Sequence, residues 1–217
     1  MTTIKAMLFD LDGTLIDSAP DMVNSLNHVR GKEGLEPLSV EEVGHAVTRG
    51  APGLLNAGMP EADEHTLEAW RCDLLDHYAR SGFPLTTFYD GIGRVLEALE
   101  SRGMPWGIVT NKIESLTHAF LRARGVQNRV AAVVCGDTLE RSKPHPDPVW
   151  LACEHIGLQP AEVLFVGDDQ RDLEAGEAAG TQLAAVHYGY GSRGLNGDLL
   201  ERSYPVHHPS DLHRLLP

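Results

Sequence analysis

An α/β fold on a mostly parallel sheet, with a helical block inserted after the first strand, is what this sequence predicts, and three observations predict it. Short apolar runs rich in Val, Ile, Leu and Ala recur near 4–9, 106–110, 130–135, 163–167 and 183–187, each of a length and composition that suit a buried strand. Segments with helical spacing separate the later runs, and strand alternating with helix implies a parallel sheet covered on both faces. Residues 17–86 break that rhythm and read as helices with little strand signal. The 217 residues suit one large domain, or a core with a smaller insertion, and are ample for a sizeable buried core. No internal repeat or low-complexity tract interrupts them.

In chain order, the first apolar run ends in the stretch MLFDLDGTLIDS, residues 7–18, where Asp10 and Asp12 stand at the point at which a strand stops. A helix is expected from Ser18, with Asp21 three residues on in a capping-box pattern and Met22, Leu26 and Val29 on one face. Another is expected over 61–80, where Leu67, Trp70, Leu74 and Tyr78 recur at helical spacing and read as the core of the helical block. Such a block is most simply a cap over the carboxyl edge of the sheet. Ile92, Val95, Leu96 and Leu99 mark the next helix, ending at Arg102-Gly103, and Leu116, Phe120 and Leu121 the one after, ending before Gly125. Helices over 147–156 and 170–179 stop at Gly157 and Gly180.

Composition narrows the partners. Eighteen Lys and Arg against 31 Asp and Glu leave a formal charge of −13 with no basic block, so a nucleic acid is repelled overall. A small anion remains open to local donors. The three cysteines, Cys72, Cys135 and Cys153, lack metal-ligand spacing and fit reduced thiols in the cytoplasm. The eleven histidines include His145 and the pair His207-His208, but no HxH or HExxH arrangement, and read as surface or core residues. The apolar stretch before Asp10 is too short for a signal peptide or a membrane span, so the expectation is a cytoplasmic protein with no membrane partner, monomeric or homodimeric.

Three further polar clusters stand at the ends of expected strands. Ile108-Val109 runs into Thr110-Asn111-Lys112, Ser142-Lys143-Pro144 follows the third strand, and Phe165-Val166 runs into Gly167-Asp168-Asp169 with Asp172 beyond. In a parallel sheet all of them converge on one edge, which is where sites gather in α/β folds. Two carboxylates about 4 Å apart repel by roughly 4 kcal/mol at an effective dielectric near 20, so a cluster of Asp10, Asp12 and Asp168, with Asp172 as a further candidate, is expected to bind a cation or raise a pKa. Ligands that are all oxygen point to Mg²⁺, which commonly bridges to a phosphate.

These motifs resemble, from end to end, those of haloacid dehalogenase superfamily phosphatases: DLDGT at 10–14, a hydroxyl at Thr110, Lys143 before Pro144 and GDDQRD at 167–172, in the family's order. The chain is most similar to phosphoglycolate phosphatases. Through PWGIVTNK, SKPHPDP and VGDDQRDLEAG it is also similar to N-acetylmuramic acid 6-phosphate phosphatases. The resemblance implies a Rossmann-like core from 1–16 and 87–217, with a C1-type helical cap at 17–86. It implies that Asp10 is the nucleophile taking the phosphoryl group of a small phosphomonoester, and that Asp12 protonates the leaving alkoxide and later deprotonates water. It places Mg²⁺ on the Asp10 carboxylate, the Asp12 main-chain carbonyl and Asp168, and sets Lys143 and Thr110, with the Asn111 amide nearby, on the equatorial oxygens. Arg49, in TRGAPG, is the cap residue expected to meet a substrate anion. Gly13 lets the backbone turn closely around the phosphate. The family often has a small hydroxyl residue where this chain has Asp169, which either joins the metal shell or caps the following helix.

Three rivals are weighed against this expectation. A two-component receiver domain carries its phospho-acceptor at the third strand, which here ends in Cys135-Gly136-Asp137 without a cluster and leaves the helical insertion unexplained. A dehalogenase needs no second carboxylate and so no Asp12. A phosphosugar mutase keeps Asp12 and differs in needing a bisphosphate activator.

Overall fold

The computed structural model describes residues 3–216. β1 (Ala6–Phe9) leads through a tight turn to β2 (Ile16–Asp17), and α1 (Ala19–Lys32), α2 (Val40–Val43), a 3-10 turn (Gly44–Arg49), α3 (Gly50–Gly58) and α4 (Glu64–Ser81) follow before β3 (Thr87–Phe88). The chain then alternates α5 (Ile92–Ser101), β4 (Trp106–Val109), α6 (Glu114–Ala123), β5 (Ala132–Val134), α7 (Asp147–Ile156), β6 (Val163–Gly167), α8 (Gln170–Ala179), β7 (Gln182–Val186), α9 (Gly197–Arg202) and β8 (Tyr204–Val206). Two compact units result, one comprising the chain through Ile16 and from Phe88 onward, the other Asp17–Thr87. The chain passes between them at β2 and β3, which form a two-stranded ribbon of their own.

In the first unit six parallel strands lie in the order β5-β4-β1-β6-β7-β8. Phe9 stands opposite Ile108 on one side and Val166 on the other, so β1, β4 and β6 end level with one another. Sequence order reverses about β1, the arrangement that opens a crevice beyond the carboxyl ends of the strands. Ala6, Leu8, Val109, Val134, Val163 and Phe165 pack with Val149, Ala152 and Ala175 of α7 and α8. The alternate residues Met7, Phe9, Trp106 and Ile108 are equally buried, so side chains on both faces are removed from water. That is why these strands read as unbroken apolar runs rather than as alternations.

The apolar pattern does not announce β8. Pro205 interrupts Tyr204–Val206 and offers no N–H to a ladder, which only an edge strand tolerates, and β8 is the edge beyond β7.

In the second unit α1 packs on α4, and α3 lies against both. Met22, Leu26 and Val29 of α1 and Leu74 and Tyr78 of α4 are buried, with Tyr78 edge-on to Phe83 at 5.0 Å. The capping box expected at Ser18 does not form. Asp21 turns instead to the far end of the unit, where its Oδ2 accepts from the Leu85 and Thr86 amides at 3.0 and 2.6 Å and from the Thr86 hydroxyl at 2.7 Å. α4 begins at Glu64 rather than 61, because the Asp63 side chain accepts from the Thr66 amide and caps it there. Among the described residues no helix is long and apolar enough to cross a membrane.

Candidate active site

The crevice at the end of β1 is built by segments that follow β1, β4, β5 and β6. Asp10 donates its amide to the Val166 carbonyl at 2.9 Å, which extends the sheet by one residue and sets its side chain at the carboxyl edge. The turn then closes with Gly13 N donating to Ile16 O at 2.8 Å. Gly13 holds φ at +91°, and a Cβ there would come within 2.2 Å of Asp168 Oδ2. Glycine is required here by close approach of a carboxylate as well as by backbone conformation.

Lys143 is the hub. Its side chain is 3% exposed, and its Nζ donates to Asp10 Oδ1 at 2.7 Å, to Asp172 Oδ1 at 2.6 Å and to the Val109 carbonyl at 2.8 Å, which uses all three of its hydrogens. The Asn111 side chain closes a two-bond ring with the Lys143 main chain, donating to its carbonyl at 2.9 Å and accepting from its amide at 3.1 Å. The Asn111 side chain thereby seats the Lys143 loop beside Thr110. Thr110 is buried at the end of β4, and its hydroxyl accepts from the Lys112 amide at 3.2 Å.

Asp168 follows β6 and is also buried. Thr14 donates to its Oδ1 at 3.0 Å and the Gly191 amide to its Oδ2 at 2.8 Å. Among the described residues no Lys or Arg side chain pairs with it. Carboxylate oxygens of Asp10, Asp168 and Asp172 lie within 4.8 Å of one another. Burial, opposed by Lys143 and reinforced by Asp172 and Asp12, pushes the Asp10 carboxyl up to about 7. Burial and then the charges of Asp10 and Asp172 raise Asp168 well above the usual carboxylate range. Burial opposes the charge of Lys143, but Asp10 and Asp172 outweigh it and raise the ammonium further.

Three buried carboxylates facing one ammonium form an oxygen-only donor set short of positive charge, and a hard divalent cation such as Mg²⁺ fits it. Asp172 is committed elsewhere: Oδ1 takes Lys143, and Oδ2 takes the Asp169 amide at 3.0 Å in the capping box of α8. Asp169 completes that box, accepting from the Arg171 amide at 2.9 Å and its Nε at 2.8 Å, so between the two roles left open for it the geometry gives the helix cap.

Asp12, two residues past Asp10, is paired with Lys112. Arg49 is exposed and belongs to the helical unit, where it ends the 3-10 turn and precedes α3. Residues that the motif reading passed over include Thr14, Lys112 and Tyr188, whose hydroxyl donates to the Thr14 carbonyl at 2.8 Å. Thr14 and Lys112 lie within the quoted stretches DLDGT and PWGIVTNK; nothing local marks Tyr188, which reaches the site across 174 residues of chain.

Comparison with known proteins finds relatives of the chain. The family described as haloacid dehalogenase-like hydrolase matches residues 7–186. N-acetylmuramic acid 6-phosphate phosphatase of Pseudomonas aeruginosa is 42% identical over 188 residues, spanning 86% of this chain and 83% of that one. Phosphoglycolate phosphatase of Xylella fastidiosa is 38% identical over 188 residues, 87% of this chain and 82% of that one. A crystal structure described as a predicted phosphoglycolate phosphatase from Haemophilus somnus superposes with a TM-score of 0.86 at 28% identity, over 99% of each chain.

Proposed function

The chain belongs to the haloacid dehalogenase-like hydrolases, and from that premise we propose that it is a Mg²⁺-dependent phosphatase of small phosphomonoesters that works through an aspartyl-phosphate. The observation that carries the reading is the buried Asp10 carboxylate at the crevice, tied to Lys143 at 2.7 Å, with Asp12 two residues on. An Asp10 oxygen attacks phosphorus while the ester P–O bond breaks, and the bond's electron pair stays on the ester oxygen. Asp12 gives that oxygen its proton, and the alcohol leaves. Water then attacks the same phosphorus, passes a proton to Asp12 and releases inorganic phosphate and the Asp10 carboxylate. The charge of Lys143, whose hydrogens are engaged by Asp10, Asp172 and the Val109 carbonyl, and the Thr110 hydroxyl stabilise the equatorial oxygens of the group in flight, with the Asn111 amide nearby and its side chain keeping the Lys143 loop in place. Mg²⁺ bound by Asp10, the Asp12 main-chain carbonyl and Asp168 would offset the repulsion between an anionic nucleophile and an anionic phosphate.

For the substrate we propose the phosphoglycolate class, a compact ester with a carboxylate, for which Arg49 of the helical cap is the recognising cation. A second reading, N-acetylmuramic acid 6-phosphate, is favoured by the 42% identity of the Pseudomonas enzyme. Both carry a carboxylate in addition to the phosphate. Phosphate release from a panel of phosphomonoesters with Mg²⁺ tests the reading: steady turnover of one of these two is expected without a bisphosphate activator, and none by Asp10→Asn, whose amide cannot attack phosphorus. Near-normal turnover by that variant would overturn the mechanism, and a requirement for a bisphosphate would make the protein a mutase.

A further inference from the structure

Lys112 has no part in the reaction as described, yet its ammonium lies 3.1 Å from both Oδ1 and Oδ2 of Asp12. The lysine side chain is 7% exposed and the carboxylate 19%. Ordering a side chain of this length costs rotamer entropy, which a solvated surface lysine does not lose. The backbone beneath it is pinned from both sides. Its amide donates to the Thr110 hydroxyl at 3.2 Å, and its carbonyl accepts from the Gly136 amide at 2.9 Å. Gly136 permits this closure, since a Cβ there would stand 2.3 Å from the Asn111 carbonyl oxygen.

Asp12 needs a cation of its own, because Lys143 has spent its three hydrogens on Asp10, Asp172 and the Val109 carbonyl. The two lysines divide the two carboxylates between them. Contact with both Asp12 oxygens restricts rotation about the bond that carries the carboxylate, which a single hydrogen bond leaves loose.

We propose that Lys112 is the positioning residue for Asp12, aiming its carboxyl group at the ester oxygen that must take a proton as the P–O bond breaks. The proposal rests on the phosphatase reading above. Its physical basis is that proton transfer needs heavy atoms within about 2.6–3.2 Å of each other, so a misdirected carboxyl loses the step although its chemistry is intact.

The test exploits the leaving group. An alkoxide such as that of phosphoglycolate must be protonated on departure, whereas the phenolate of p-nitrophenyl phosphate leaves without a proton. The ratio kcat/KM reports the steps up to the first transfer. For Lys112→Gln, kcat/KM on the alkyl ester should fall on the order of 10²-fold, the lower end of what general acid catalysis contributes. On p-nitrophenyl phosphate it should change no more than about threefold, since no proton is then at stake. Lys112→Arg, which keeps a cation there, should recover most of the loss. Equal falls on both esters, or no fall on the alkyl ester, would overturn the role of Lys112 while leaving the phosphatase reading standing. Failure of the unsubstituted chain to release phosphate from any ester would overturn that reading and this proposal together. If Lys112→Gln does not fold, the contrast between the two esters is read on Lys112→Met, which also removes the cation but keeps the apolar stem, and equal effects on both again overturn the proposal.

Discussion

At the crevice, a single ammonium bonded to two carboxylates makes removal of either partner costly. Asp172 is 2% exposed at its side chain and holds Lys143 at 2.6 Å, so it is a structural counter-charge whose loss leaves Lys143 with Asp10 alone. Breaking a buried ion pair by truncating one partner costs about 3–5 kcal/mol. Because Lys143 keeps Asp10, Asp172→Ala is expected near the low end, about 3 kcal/mol of unfolding free energy, measured by urea denaturation. A loss below about 1 kcal/mol, the size of a surface pair, would mean that Asp10 and the Val109 carbonyl suffice to hold the lysine. The same residue caps α8 through the Asp169 amide, and so couples the charge network to the helix that follows β6.

Element boundaries follow local chemistry where a side chain can reach its own backbone. Gly157 and Gly180 end α7 and α8 in the left-handed conformation at φ 77° and 86°, and Asp63 and Asp169 start α4 and α8. α1 departs from that rule. Its Asp21 is buried and binds the Leu85–Thr86 segment, while its Oδ1 has no hydrogen-bond partner. Asp21→Ala would remove the charged acceptor that the Thr86 amide and hydroxyl share, and a lost hydrogen bond to a charged group costs about 1.5–3 kcal/mol. The expected loss is about 2–3 kcal/mol in urea denaturation, while Asp21→Asn, which keeps one accepting oxygen, should lose less than half of that. Equal losses for the two variants would show that the charge of Asp21, and not its acceptor, holds the segment.

For the whole molecule, stability without a cation depends on pH through the buried carboxyls. Asp10 is raised to about 7 and Asp168 upward, so the folded chain holds their protons more tightly than the unfolded chain. The stabilisation that follows is fully present below the ordinary carboxylate value of 3.8 and is lost as pH rises through about 7. Mg²⁺ competes with those protons and should therefore stabilise most at alkaline pH. At a concentration 100-fold above its Kd a ligand adds about 2.7 kcal/mol, or on the order of 5–10 °C in Tm for a chain of this size. Thermal melting should show a gain of that order at pH 8 and less than half of it at pH 5.5. An equal gain at both pH values would place the ion away from Asp10 and Asp168.

The sequence alone determined the alternation of strand and helix, the parallel sheet and the convergence of DLDGT, Thr110, Lys143 and GDDQRD on one edge. Each of these rests on a short-range pattern: apolar runs, glycine stops, and polar residues standing where a strand ends. Tertiary structure decided what those residues hold. That Lys143 joins Asp10 to Asp172 across 133 and 29 residues, and that Lys112 reaches Asp12 across 100, are facts of distance that no local window encodes. β8 and Tyr188 were invisible for a related reason, since an edge strand interrupted by proline and a tyrosine donating to a remote carbonyl carry no periodic signal. The roles of Asp21 and Asp169 were split in the same way. Both occupy a capping position in the sequence, but only at Asp169 did the local bond form, because the Leu85 and Thr86 amides and the Thr86 hydroxyl offered Asp21 three donors that its own helix could not match.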